Sequence, residues 1–330
     1  MNALVTGGGG FLGSGIVRGL LNNGQDVWVI GRRNYSHLPQ SAKILKGDIR
    51  DFGFVNKSLK NINVLFHTAG IPGIWGPAKD FYSINVQGTE NIIGACRKNR
   101  VRKLIFTSSP SVVFGHSNLE GVDETTPYPE NYLCEYSRTK ALAEKLILNA
   151  NDSNLSTVAI RPHLIWGPGD PHLVPRILEK AGKKGLVKVG EGNNRVDIIY
   201  IDNAVSAHLK ASEALVPNGN VAGKSYFVSD GKPVNLWDWI DQLLKRMGKG
   251  KVSKNISYAN AMRLGSLMEI IYGILRIKNE PPMTRFLASQ LAKSHYFDIS
   301  RAKNDFGYQS LVSPEEGMNR LINSLDLSIN

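Results

Sequence analysis

Short runs of apolar, β-branched residues alternate with longer segments of helical periodicity over the first half of the chain. Two such helical segments are Leu12–Leu21 and Val86–Lys98, where apolar residues recur every three or four positions. Several of the short runs are apolar without interruption, as is typical of strands buried on both faces. Strands that alternate with helices predict a parallel sheet with helices on both faces. The predicted strands are Ala3–Thr6, Asp26–Ile30, Ala42–Lys46, Val64–His67, Lys103–Thr107 and Thr157–Arg161.

The pattern changes after Arg161, where prolines and glycines mark a loop that leaves the sheet. Val196–Ile201 and Ser225–Val228 look like strands again, which predicts that the chain returns to the sheet before a last helical part. We therefore predict an α/β fold with a doubly wound parallel sheet and a smaller, discontinuous, mostly helical lobe. The predicted sheet domain takes residues 1–161, 196–213 and 225–230, and the lobe takes about 162–195 and 231–330.

Ala261–Ile277 is the most apolar stretch of the second half. Arg263, Glu269 and Arg276 interrupt it, so it falls short of the ~18 consecutive apolar residues of a spanning helix. Its apolar residues instead follow the spacing of an amphipathic helix. Three roles stay open for this apolar face: it packs against the protein's own core, it covers an apolar pocket as a lid, or it contacts a membrane. The residues concerned are Leu264, Leu267, Met268, Ile271, Ile274 and Leu275.

The composition is that of an ordinary globular protein. Hydrophobic residues make up 42% of the 330 positions and charged residues 21%, which excludes a disordered, collagen-like or coiled-coil chain. Cys96 and Cys134 are the only cysteines, too few for a disulfide framework. The seven histidines form no HExxH pair, so we predict no metal site.

The formal net charge is +12, and such an excess can indicate nucleic acid or an anionic surface as a partner. The cations are spread along the sequence and no aromatic-interleaved RNA-binding motif is present, so we predict no nucleic-acid partner. Three explanations stay open: a solvated surface, attraction to acidic lipid, or attraction to a phosphorylated cofactor. The densest cluster consists of Lys245, Arg246, Lys249, Lys251 and Lys254.

The amino terminus carries no basic and apolar leader, since Met1–Thr6 leads directly into glycines. We therefore expect a cytoplasmic protein. Peripheral contact with a membrane or with another enzyme of the same pathway is a further expectation. Exposed helices of such a sheet often pair, so we also expect a homodimer.

A glycine-rich turn follows the first predicted strand and opens the first predicted helix. Its glycines fall at GxxGxxG spacing. Glycine is needed where the turn is tight, where backbone approaches a pyrophosphate and where a helix packs closely on a strand, and the helix N-terminus offers free N–H groups to the anion. This context predicts a dinucleotide-binding Rossmann sheet. The predicted cofactor-binding residues here are Gly7, Gly10, Phe11, Leu12 and Gly13.

The end of the second strand indicates which dinucleotide is bound. Enzymes that use NAD place an acidic residue there for the ribose 2′-hydroxyl. In this chain the strand leads into Gly31, Arg32 and Arg33, and two guanidinium groups can bind a 2′-phosphate. We therefore favour NADP(H) over NAD(H), with solvated loop arginines as the alternative.

Tyr136 and Lys140 form a YxxxK array at the start of a helical segment. Their i, i+4 spacing places both side chains on one face of the helix. A lysine ammonium beside a phenol favours the phenolate and lowers the tyrosine pKa, and the positive ring of an oxidised nicotinamide adds to this effect. The tyrosine can then act as an acid or base near neutral pH.

Thr107–Ser109 ends the fifth predicted strand, at the sheet edge where ligands of open α/β sheets bind. A hydroxyl there can donate a hydrogen bond to a substrate carbonyl as it becomes an alkoxide. Thr107 and Ser108 have a simpler explanation, because they can satisfy backbone groups at the strand end. Together with the glycine turn and the Tyr–Lys pair, this hydroxyl predicts hydride transfer to a ketone with proton delivery by Tyr136.

Several motifs resemble markers of the extended short-chain dehydrogenase/reductase superfamily, and the match covers essentially the whole chain. The resemblance implies that Asp48 and Ile49 flank the adenine and that Ala69 and Gly70 lie along the cofactor. The residues that it implies as catalytic are Ser109, Tyr136 and Lys140. The matching motifs are TGGGGFLG at Thr6–Gly13, GDIRD at Gly47–Asp51, HTAG at His67–Gly70, NVQGT at Asn85–Thr89 and YSRTK at Tyr136–Lys140.

Within the superfamily the chain resembles the 3β-hydroxysteroid dehydrogenase branch, and in it the bacterial 2-alkyl-3-oxoalkanoate reductases of olefin biosynthesis. Sugar-nucleotide epimerases of the superfamily carry an arginine where this chain has Val196, although Arg195 lies one residue earlier. A nucleotide sugar is therefore disfavoured and an apolar substrate fits better. The motifs of the branch are TSSPSV at Thr107–Val112, RPHLIWGPGD at Arg161–Asp170 and TRFLASQLAKSHYFD at Thr284–Asp298.

The resemblance thus implies an oxidoreductase of lipid metabolism that acts on CH–OH groups, and Arg32 and Arg33 favour NADP(H) as its cofactor. The expected reaction is reduction of a hydrophobic 2-alkyl-3-oxoalkanoic acid to the 3-hydroxy acid. Three alternatives stay open: a 3β-hydroxysteroid or sterol dehydrogenase, a sugar-nucleotide epimerase or dehydratase, and an NADP-binding regulator without catalysis. The substrate's chain length and the direction of the reaction in the cell also stay open.

Overall fold

Short strands and helices alternate in the computed structural model of the chain, which describes residues 1–183 and 185–326. The strands are β1 (Asn2–Thr6), β2 (Asp26–Gly31), β3 (Lys43–Lys46), β4 (Val64–His67), β5 (Lys103–Thr107), β6 (Leu119–Val122), β7 (Ser156–Pro162), β8 (Ile165–Trp166), β9 (Val187–Val189), β10 (Arg195–Val196), β11 (Ile199–Tyr200), β12 (Lys224–Val228), β13 (Val234–Asn235), β14 (Lys254–Ile256) and β15 (His295–Phe297).

Helices lie on the faces of the sheet and make up much of the second half of the chain. They are α1 (Phe11–Asn22), α2 (Phe52–Ser58), α3 (Ala78–Phe81), α4 (Gly88–Asn99), α5 (Glu135–Asn149), α6 (Leu173–Lys183), α7 (Ile201–Ala214), α8 (Leu236–Arg246), α9 (Tyr258–Ile274), α10 (Arg285–Ala292), α11 (Ser300–Phe306) and α12 (Pro314–Asp326). A π-helical turn, Tyr82–Gln87, joins α3 to α4, and a 3-10 turn, Pro110–Val112, follows β5.

The central sheet has seven strands in the order β12-β7-β5-β4-β1-β2-β3, and every neighbouring pair is parallel. The order reverses direction between β1 and β4, which makes the carboxyl ends of these strands the expected ligand site. The predicted α/β class is confirmed. The strands predicted at Val64–His67 and Lys103–Thr107 have the predicted bounds, and the other four predicted strands of the first half differ by one residue at one or both ends.

Both faces of the sheet are buried, as the uninterrupted apolar runs predict. In β1, Ala3 and Val5 pack into one hydrophobic cluster with α1 and α7, whereas Leu4 packs into a second cluster with α2, α4 and α5. The alternation follows from the two-residue period of a strand, because successive side chains point to opposite faces.

The strand predicted over 196–201 is wrong in its pairing. Two short strands, β10 and β11, take its place, and both lie outside the central sheet. β10 belongs to a small sheet of order β13-β10-β15-β6, and β11 pairs with β8. The chain returns to the central sheet as helix α7, which packs on α1, and as β12, which matches the strand predicted at 225–228. The division of the chain between the two units stays a prediction.

Helix α9 confirms the predicted helix but not the burial of its apolar face. Ser257 caps its N-terminus by accepting a hydrogen bond from the Asn260 N–H at 3.2 Å. Only Ala261 and Gly265 of the helix are buried. Five of the six predicted residues face solvent instead, so burial against the protein's own core is wrong for them, whereas Met268 is half-buried. Across residues 1–183 and 185–326, the helices are all too short or too polar to span a membrane.

Candidate active site

The glycine-rich turn after β1 has the close packing that its spacing predicts. Gly7 has a φ of +69°, and a Cβ atom there would lie 2.8 Å from the backbone of Ala69. A Cβ atom on Gly13 would lie 2.3 Å from the Gly7 carbonyl oxygen. Any larger residue at either position would push the turn away from α1 or from the loop after β4.

The N-terminus of α1 forms a cradle for an anion. Gly10 occupies the N-cap position and offers no side chain to cap the helix. Its own N–H donates to the Gly7 carbonyl at 2.9 Å, which folds the turn over the first helical residues, Phe11, Leu12 and Gly13. The N–H groups of a first helical turn have no partner within the helix, and together with the helix dipole they favour a phosphate. These residues fit the pyrophosphate of a dinucleotide.

Charged residues gather at the ends of β2 and β3, where the adenosine end of a dinucleotide would lie. Arg32 and Arg33 are exposed directly after β2. Asp48 forms an ion pair with Arg50, whose Nη2 lies 2.7 Å from Oδ2. The hydrogen bond from Arg50 lowers the pKa of Asp48, and Arg32 is close enough to add to that effect. Ile49 is buried behind Asp48.

Tyr35 is a neighbour of the cofactor turn that the sequence reasoning missed. A Cβ atom built on Gly9 would lie 2.2 Å from its ring, and one built on Gly31 would lie 2.4 Å from it. The ring therefore lies against both glycines, with the Arg33 guanidinium 5.7 Å from its centre. No short motif signals this contact, which depends on how the loop after β2 folds back.

Asn85 connects the loop after β4 to the helix that carries Tyr136. Its Oδ1 accepts from the Ile71 N–H at 2.9 Å, and its Nδ2 donates to the Thr139 hydroxyl at 3.1 Å. A Cβ atom on Gly70 would lie 3.1 Å from Asn85 Oδ1. Asn85 lies in the π-helical turn, a local widening that is frequent at functional sites.

A buried chain of hydrogen bonds runs behind the site from β1 to α4. His67 Nδ1 lies 2.7 Å from the Thr6 hydroxyl, and its Nε2 lies 3.0 Å from the Thr89 hydroxyl. Since Thr89 donates to the Asn85 carbonyl, we assign the His67 proton to Nε2 and the acceptor role to Nδ1. Burial lowers the pKa of His67 to about 3, so it is neutral at physiological pH.

The three predicted catalytic residues come together at the carboxyl edge of the sheet. Tyr136 and Lys140 lie one turn apart on α5, and Ser109 follows β5. The Ser109 hydroxyl lies close enough to the Tyr136 phenol to influence its pKa. Burial raises the pKa of Tyr136, and the nearby Ser109 hydroxyl partly offsets this effect. Lys140 is not among the groups that shift the Tyr136 pKa, in contrast to the sequence-based expectation.

Lys140 is held deep beside β5. Its ammonium donates to the Thr107 carbonyl at 2.5 Å and lies 4.0 Å from the centre of the Phe106 ring. Burial lowers the pKa of Lys140 to about 7, although the Glu144 carboxylate opposes the shift. The lysine can therefore change its protonation state near neutral pH.

Glu144 and Arg161 form a fully buried ion pair behind the catalytic helix. The Glu144 carboxylate accepts from Arg161 Nη2 at 2.6 Å, from Arg161 Nε at 2.9 Å and from the Tyr128 hydroxyl at 2.6 Å. The pair fixes α5 to β7. Because burial and the guanidinium act against each other, the net effect is that Arg161 keeps the pKa of Glu144 below its usual value.

The model of the 3-beta hydroxysteroid dehydrogenase/isomerase family matches residues 4–257 of this chain. The chain belongs to this family. The 2-alkyl-3-oxoalkanoate reductase of Stenotrophomonas maltophilia (strain K279a) is 44% identical over 324 residues, which cover 97% of this chain and 98% of that protein. The enzyme of the same name from Shewanella oneidensis is 42% identical and covers 98% of this chain and 86% of its own length. A mouse sterol-4-alpha-carboxylate 3-dehydrogenase, decarboxylating, is 34% identical over 97% of this chain and 90% of that protein.

Solved structures share the fold of this 3-beta hydroxysteroid dehydrogenase/isomerase family member. MoeE5 in complex with UDP-glucose and NAD superposes with a TM-score of 0.76 at 23% identity and covers all of both chains. The crystal structure of gox2253 superposes with a TM-score of 0.80 at 24% identity and covers 99% of this chain and 98% of that one. The chain thus has the Rossmann fold of the extended short-chain dehydrogenase/reductases, and it is a nicotinamide-dependent enzyme that acts on CH–OH groups.

Two motifs of this family branch meet in space although they lie far apart in the sequence. His163 of RPHLIWGPGD and His295 of TRFLASQLAKSHYFD are both buried, and His163 Nε2 lies 2.6 Å from His295 Nδ1. The other ring nitrogen of His295 lies 2.9 Å from the Gln290 carbonyl. Burial lowers the pKa of His295 to about 4 and holds that of His163 well below its usual value, so both rings are neutral.

Arg195 and Val196, which lie at the position where the epimerases are expected to carry an arginine, form β10. Val196 is fully buried in β10, so it offers no charge to a diphosphate. Arg195 is exposed, and its guanidinium lies 5.3 Å from the centre of the Tyr296 ring.

Sequence reasoning missed two buried carboxylates near β10 and β11. Asp197 accepts from the Phe297 N–H at 2.9 Å, and Asp230 accepts from the Asn203 side chain at 2.6 Å. Burial raises the pKa of each to about 6. Both tie together segments distant in the sequence. In the part of the chain that the structure describes, no cluster of three or more His, Cys, Asp or Glu side chains could hold a metal ion.

Proposed function

We propose that this chain is an NADP(H)-dependent reductase that interconverts the 3-oxo and 3-hydroxy groups of a 2-alkyl-3-oxoalkanoic acid. The observation that carries the proposal is the meeting of Ser109, Tyr136 and Lys140 beside the anion cradle of α1. Relatives with this activity in their names cover nearly the whole chain at 44% and 42% identity.

The names of the relatives favour one class of substrate. The name 2-alkyl-3-oxoalkanoate places a carboxylate on the carbon next to the 3-oxo carbon. The name sterol-4-alpha-carboxylate 3-dehydrogenase places a carboxylate on the carbon next to position 3 of a sterol. Both describe an acid oxygenated at the β-carbon and carrying a large apolar part. This shared chemistry supports a β-hydroxy or β-keto acid as the substrate of this chain.

The chain's own residues supply the proton and orient the carbonyl. In the direction of reduction, the Tyr136 phenol donates its proton to the substrate oxygen while the Ser109 hydroxyl donates a hydrogen bond to the same oxygen. Lys140 lies one turn further along α5 and does not shift the Tyr136 pKa in this structure, so its stabilisation of the phenolate that remains is part of the proposal and requires the ammonium form. The reduced nicotinamide cofactor, when bound, supplies the hydride. His67, Asn85 and the glycine turn hold the loops around this site.

NADP(H) is the proposed cofactor because Arg32 and Arg33 follow β2 where a ribose-binding acid would otherwise lie. A guanidinium binds a 2′-phosphate through charge-assisted hydrogen bonds, whereas it gains little from a ribose hydroxyl. Tyr35, which lies against Gly9 and Gly31, shapes the same region.

A 4-carboxylated sterol is the second candidate, since the mouse relative carries that substrate in its name. It requires the same chemistry at the reacting carbon and differs in the shape of the apolar part. A nucleotide sugar has less support because Val196 is buried and Arg195 packs on Tyr296.

The test is oxidation of 2-alkyl-3-hydroxy acids by the purified chain with NADP⁺, followed by the absorbance of the reduced cofactor. This direction avoids β-keto acids, which lose carbon dioxide spontaneously. A series with increasing alkyl length is compared with a 4-carboxylated sterol and with UDP-glucose. We expect kcat/KM to rise with alkyl length, since each buried CH₂ contributes about 0.8 kcal/mol.

Two results would contradict the proposal. Equal kcat/KM for short and long hydroxy acids would remove the case for a lipid-like substrate. Tight NADP⁺ binding without turnover of any hydroxy acid or sterol would favour a cofactor-binding regulator instead.

A further inference from the structure

The Tyr35 side chain lies between the glycine turn and the end of β2. A Cβ atom built on Gly9 would lie 2.2 Å from its ring, and one built on Gly31 would lie 2.4 Å from its hydroxyl oxygen. One edge of the half-buried ring therefore faces the turn, while the hydroxyl reaches the last residue of β2. Because a Rossmann sheet holds the pyrophosphate at the first of these elements and the adenosine ribose at the second, Tyr35 lies beside both.

The two glycines that the ring contacts are required by the ring and not by the backbone. Neither Gly9 nor Gly31 has a positive φ, in contrast to Gly7, whose φ is +69°. Any residue can adopt their backbone conformation, so the space that Tyr35 occupies is what requires glycine there. A Cβ atom on Gly10 would meet the Gly7 carbonyl oxygen, at 3.2 Å, and not the ring. The ring therefore borders the anion cradle and leaves the start of α1 open.

The Tyr35 hydroxyl occupies the place where a side chain of residue 31 would begin. In NAD-dependent Rossmann folds, an acidic side chain at the end of the second strand binds the ribose 2′-hydroxyl. A side chain at position 31 would therefore point to the 2′ position of the adenosine ribose. In this chain the Tyr35 hydroxyl takes that place. A phenol donates a hydrogen bond to a phosphate oxygen, whereas a carboxylate in the same place would repel the phosphate.

The charges around the Tyr35 hydroxyl favour a phosphate group. The Arg33 guanidinium lies 5.7 Å from the centre of the ring, and Arg32 is exposed next to Gly31. Lys46 lies opposite Gly31 in the register of β2 and β3, and it is also exposed. Side chains of residues that lie opposite each other in a sheet point to the same face, so Lys46 lies on the face that carries the Tyr35 ring. A hydroxyl donor among three cations suits a doubly charged anion.

We propose that Tyr35 is a cofactor-binding residue whose hydroxyl donates a hydrogen bond to the 2′-phosphate of NADP(H). The inference rests on the proposed NADP(H) dependence and names a further residue that determines it. Packing of the ring against Gly9 holds the hydroxyl at the end of β2 before the cofactor arrives. Less conformational freedom is then lost on binding than with a long, exposed side chain.

The test uses adenosine 2′,5′-bisphosphate and adenosine 5′-monophosphate, which differ only in the 2′-phosphate. Isothermal titration calorimetry with the purified chain gives both dissociation constants and requires neither substrate nor hydride transfer. We expect the wild type to bind the bisphosphate more tightly. Tyr35→Phe should weaken bisphosphate binding by about tenfold, because one charge-assisted hydrogen bond is lost while the ring stays. Binding of the monophosphate should stay unchanged.

Tyr296→Phe is the matched control for the loss of a tyrosine hydroxyl. Tyr296 is also half-buried beside a guanidinium, with Arg195 5.3 Å from the centre of its ring, but it lies in β15 of the small sheet. Both nucleotides should bind to this variant as they bind to the wild type.

Gly31→Ala gives the contact a second test. Its methyl group would meet the Tyr35 hydroxyl, so the substitution should displace the hydroxyl and lower the preference for the bisphosphate. In the Tyr35→Ala background the methyl group meets no ring, and Gly31→Ala should have no further effect. Such non-additivity assigns the effect to the contact between the two residues and not to a general disturbance of β2.

Three results would overturn the proposal. If the wild type prefers the bisphosphate and Tyr35→Phe keeps that preference in full, the NADP(H) dependence stands and Tyr35 has no part in it. A wild type without the preference would overturn the NADP(H) dependence itself, and this inference with it. Tighter binding of both nucleotides by Tyr35→Ala would show that the ring blocks the site and does not bind the cofactor.

Discussion

The cofactor end of the central sheet and the region around α9 and β15 differ in how far apart their interacting residues lie in the sequence. At the cofactor end, Gly7 to Gly13 form one turn, and Tyr136 and Lys140 lie on one helix. Around β15, the contacts join distant segments: β6 pairs with β15, and His163 binds His295 across 132 positions. Local motifs therefore determine the first region, whereas long-range pairing determines the second.

The substitution with the largest expected effect tests whether the catalytic residues all lie at the cofactor end of the central sheet. Tyr136→Phe should lower kcat by roughly 10²–10⁴-fold, because the ring stays and only the transferable proton is lost. Cofactor affinity, measured by fluorescence titration with NADPH, should stay unchanged.

The control is Tyr226→Phe, which removes a tyrosine hydroxyl on β12 away from the site. That hydroxyl donates a hydrogen bond to the Asp305 carboxylate at 2.6 Å. Turnover of this variant should equal that of the wild type. Near-normal turnover in Tyr136→Phe with an accepted hydroxy acid would show that another group transfers the proton.

The same comparison explains what could be predicted from the sequence. The glycine turn, the strands that end beside it and the Tyr–Lys pair are each encoded within a few residues, so their placement follows from period and spacing. Tyr35 was missed because its contact with Gly9 and Gly31 depends on a loop conformation that no motif signals. The paired strand predicted over 196–201 was wrong because an apolar run does not show which sheet it joins.

Helix α9 shows most clearly what the sequence pattern could not predict. Its period predicts a helix, and the helix is there, but the period alone does not show which face the rest of the chain covers. Gly265 and Glu269 determine that orientation by their contacts with Arg285, 16 and more residues away. The apolar residues are left outside as a result.

A second prediction concerns the buried charge that holds the first region together. Arg161→Met should lower the free energy of unfolding by about 3–5 kcal/mol, because it leaves the Glu144 carboxylate buried without its partner. The measurement is guanidinium chloride unfolding. Adding Glu144→Gln to Arg161→Met removes the unpaired charge and should restore part of the loss. If the double variant is no more stable than the single one, packing rather than charge explains the effect.

A third prediction sharpens the adenosine end of the same region. Arg32→Ala should reduce the ratio of kcat/KM for NADPH to that for NADH by at least roughly tenfold, since one charge-assisted hydrogen bond contributes about 1.5–3 kcal/mol. Arg102→Ala, an exposed arginine at the opposite edge of the sheet, is the control and should not change the ratio. A wild-type preference for NADH would show that the arginines after β2 are ordinary surface residues. Gly31→Asp is a less clean change, because its side chain would meet the Tyr35 ring.

A fourth prediction tests the long-range contact of the second region. His163→Leu should lower the free energy of unfolding by about 1–3 kcal/mol at pH 7.5, because it leaves His295 Nδ1 buried without a donor. His163→Gln is the control, since its amide can donate in place of the ring N–H. Equal losses in both variants would show that the shape of the ring matters and the hydrogen bond does not.

The pH dependence of His163→Gln gives the same contact a second test. Both histidines have a lowered pKa in the folded chain, to about 4 for His295. Below pH 6.5 the unfolded chain takes up protons that the folded chain does not, so wild-type stability falls as the pH drops from 6.5 towards 4. His163→Gln removes one such group, so the stability of this variant should fall by up to roughly 1.4 kcal/mol less per pH unit than that of the wild type.

The carboxyl groups of Asp197 and Asp230, whose pKa values are raised to about 6, act with the opposite sign. Both proteins share these groups, so their effect cancels in the difference. Parallel curves for wild type and variant would mean that folding does not lower the pKa of His163.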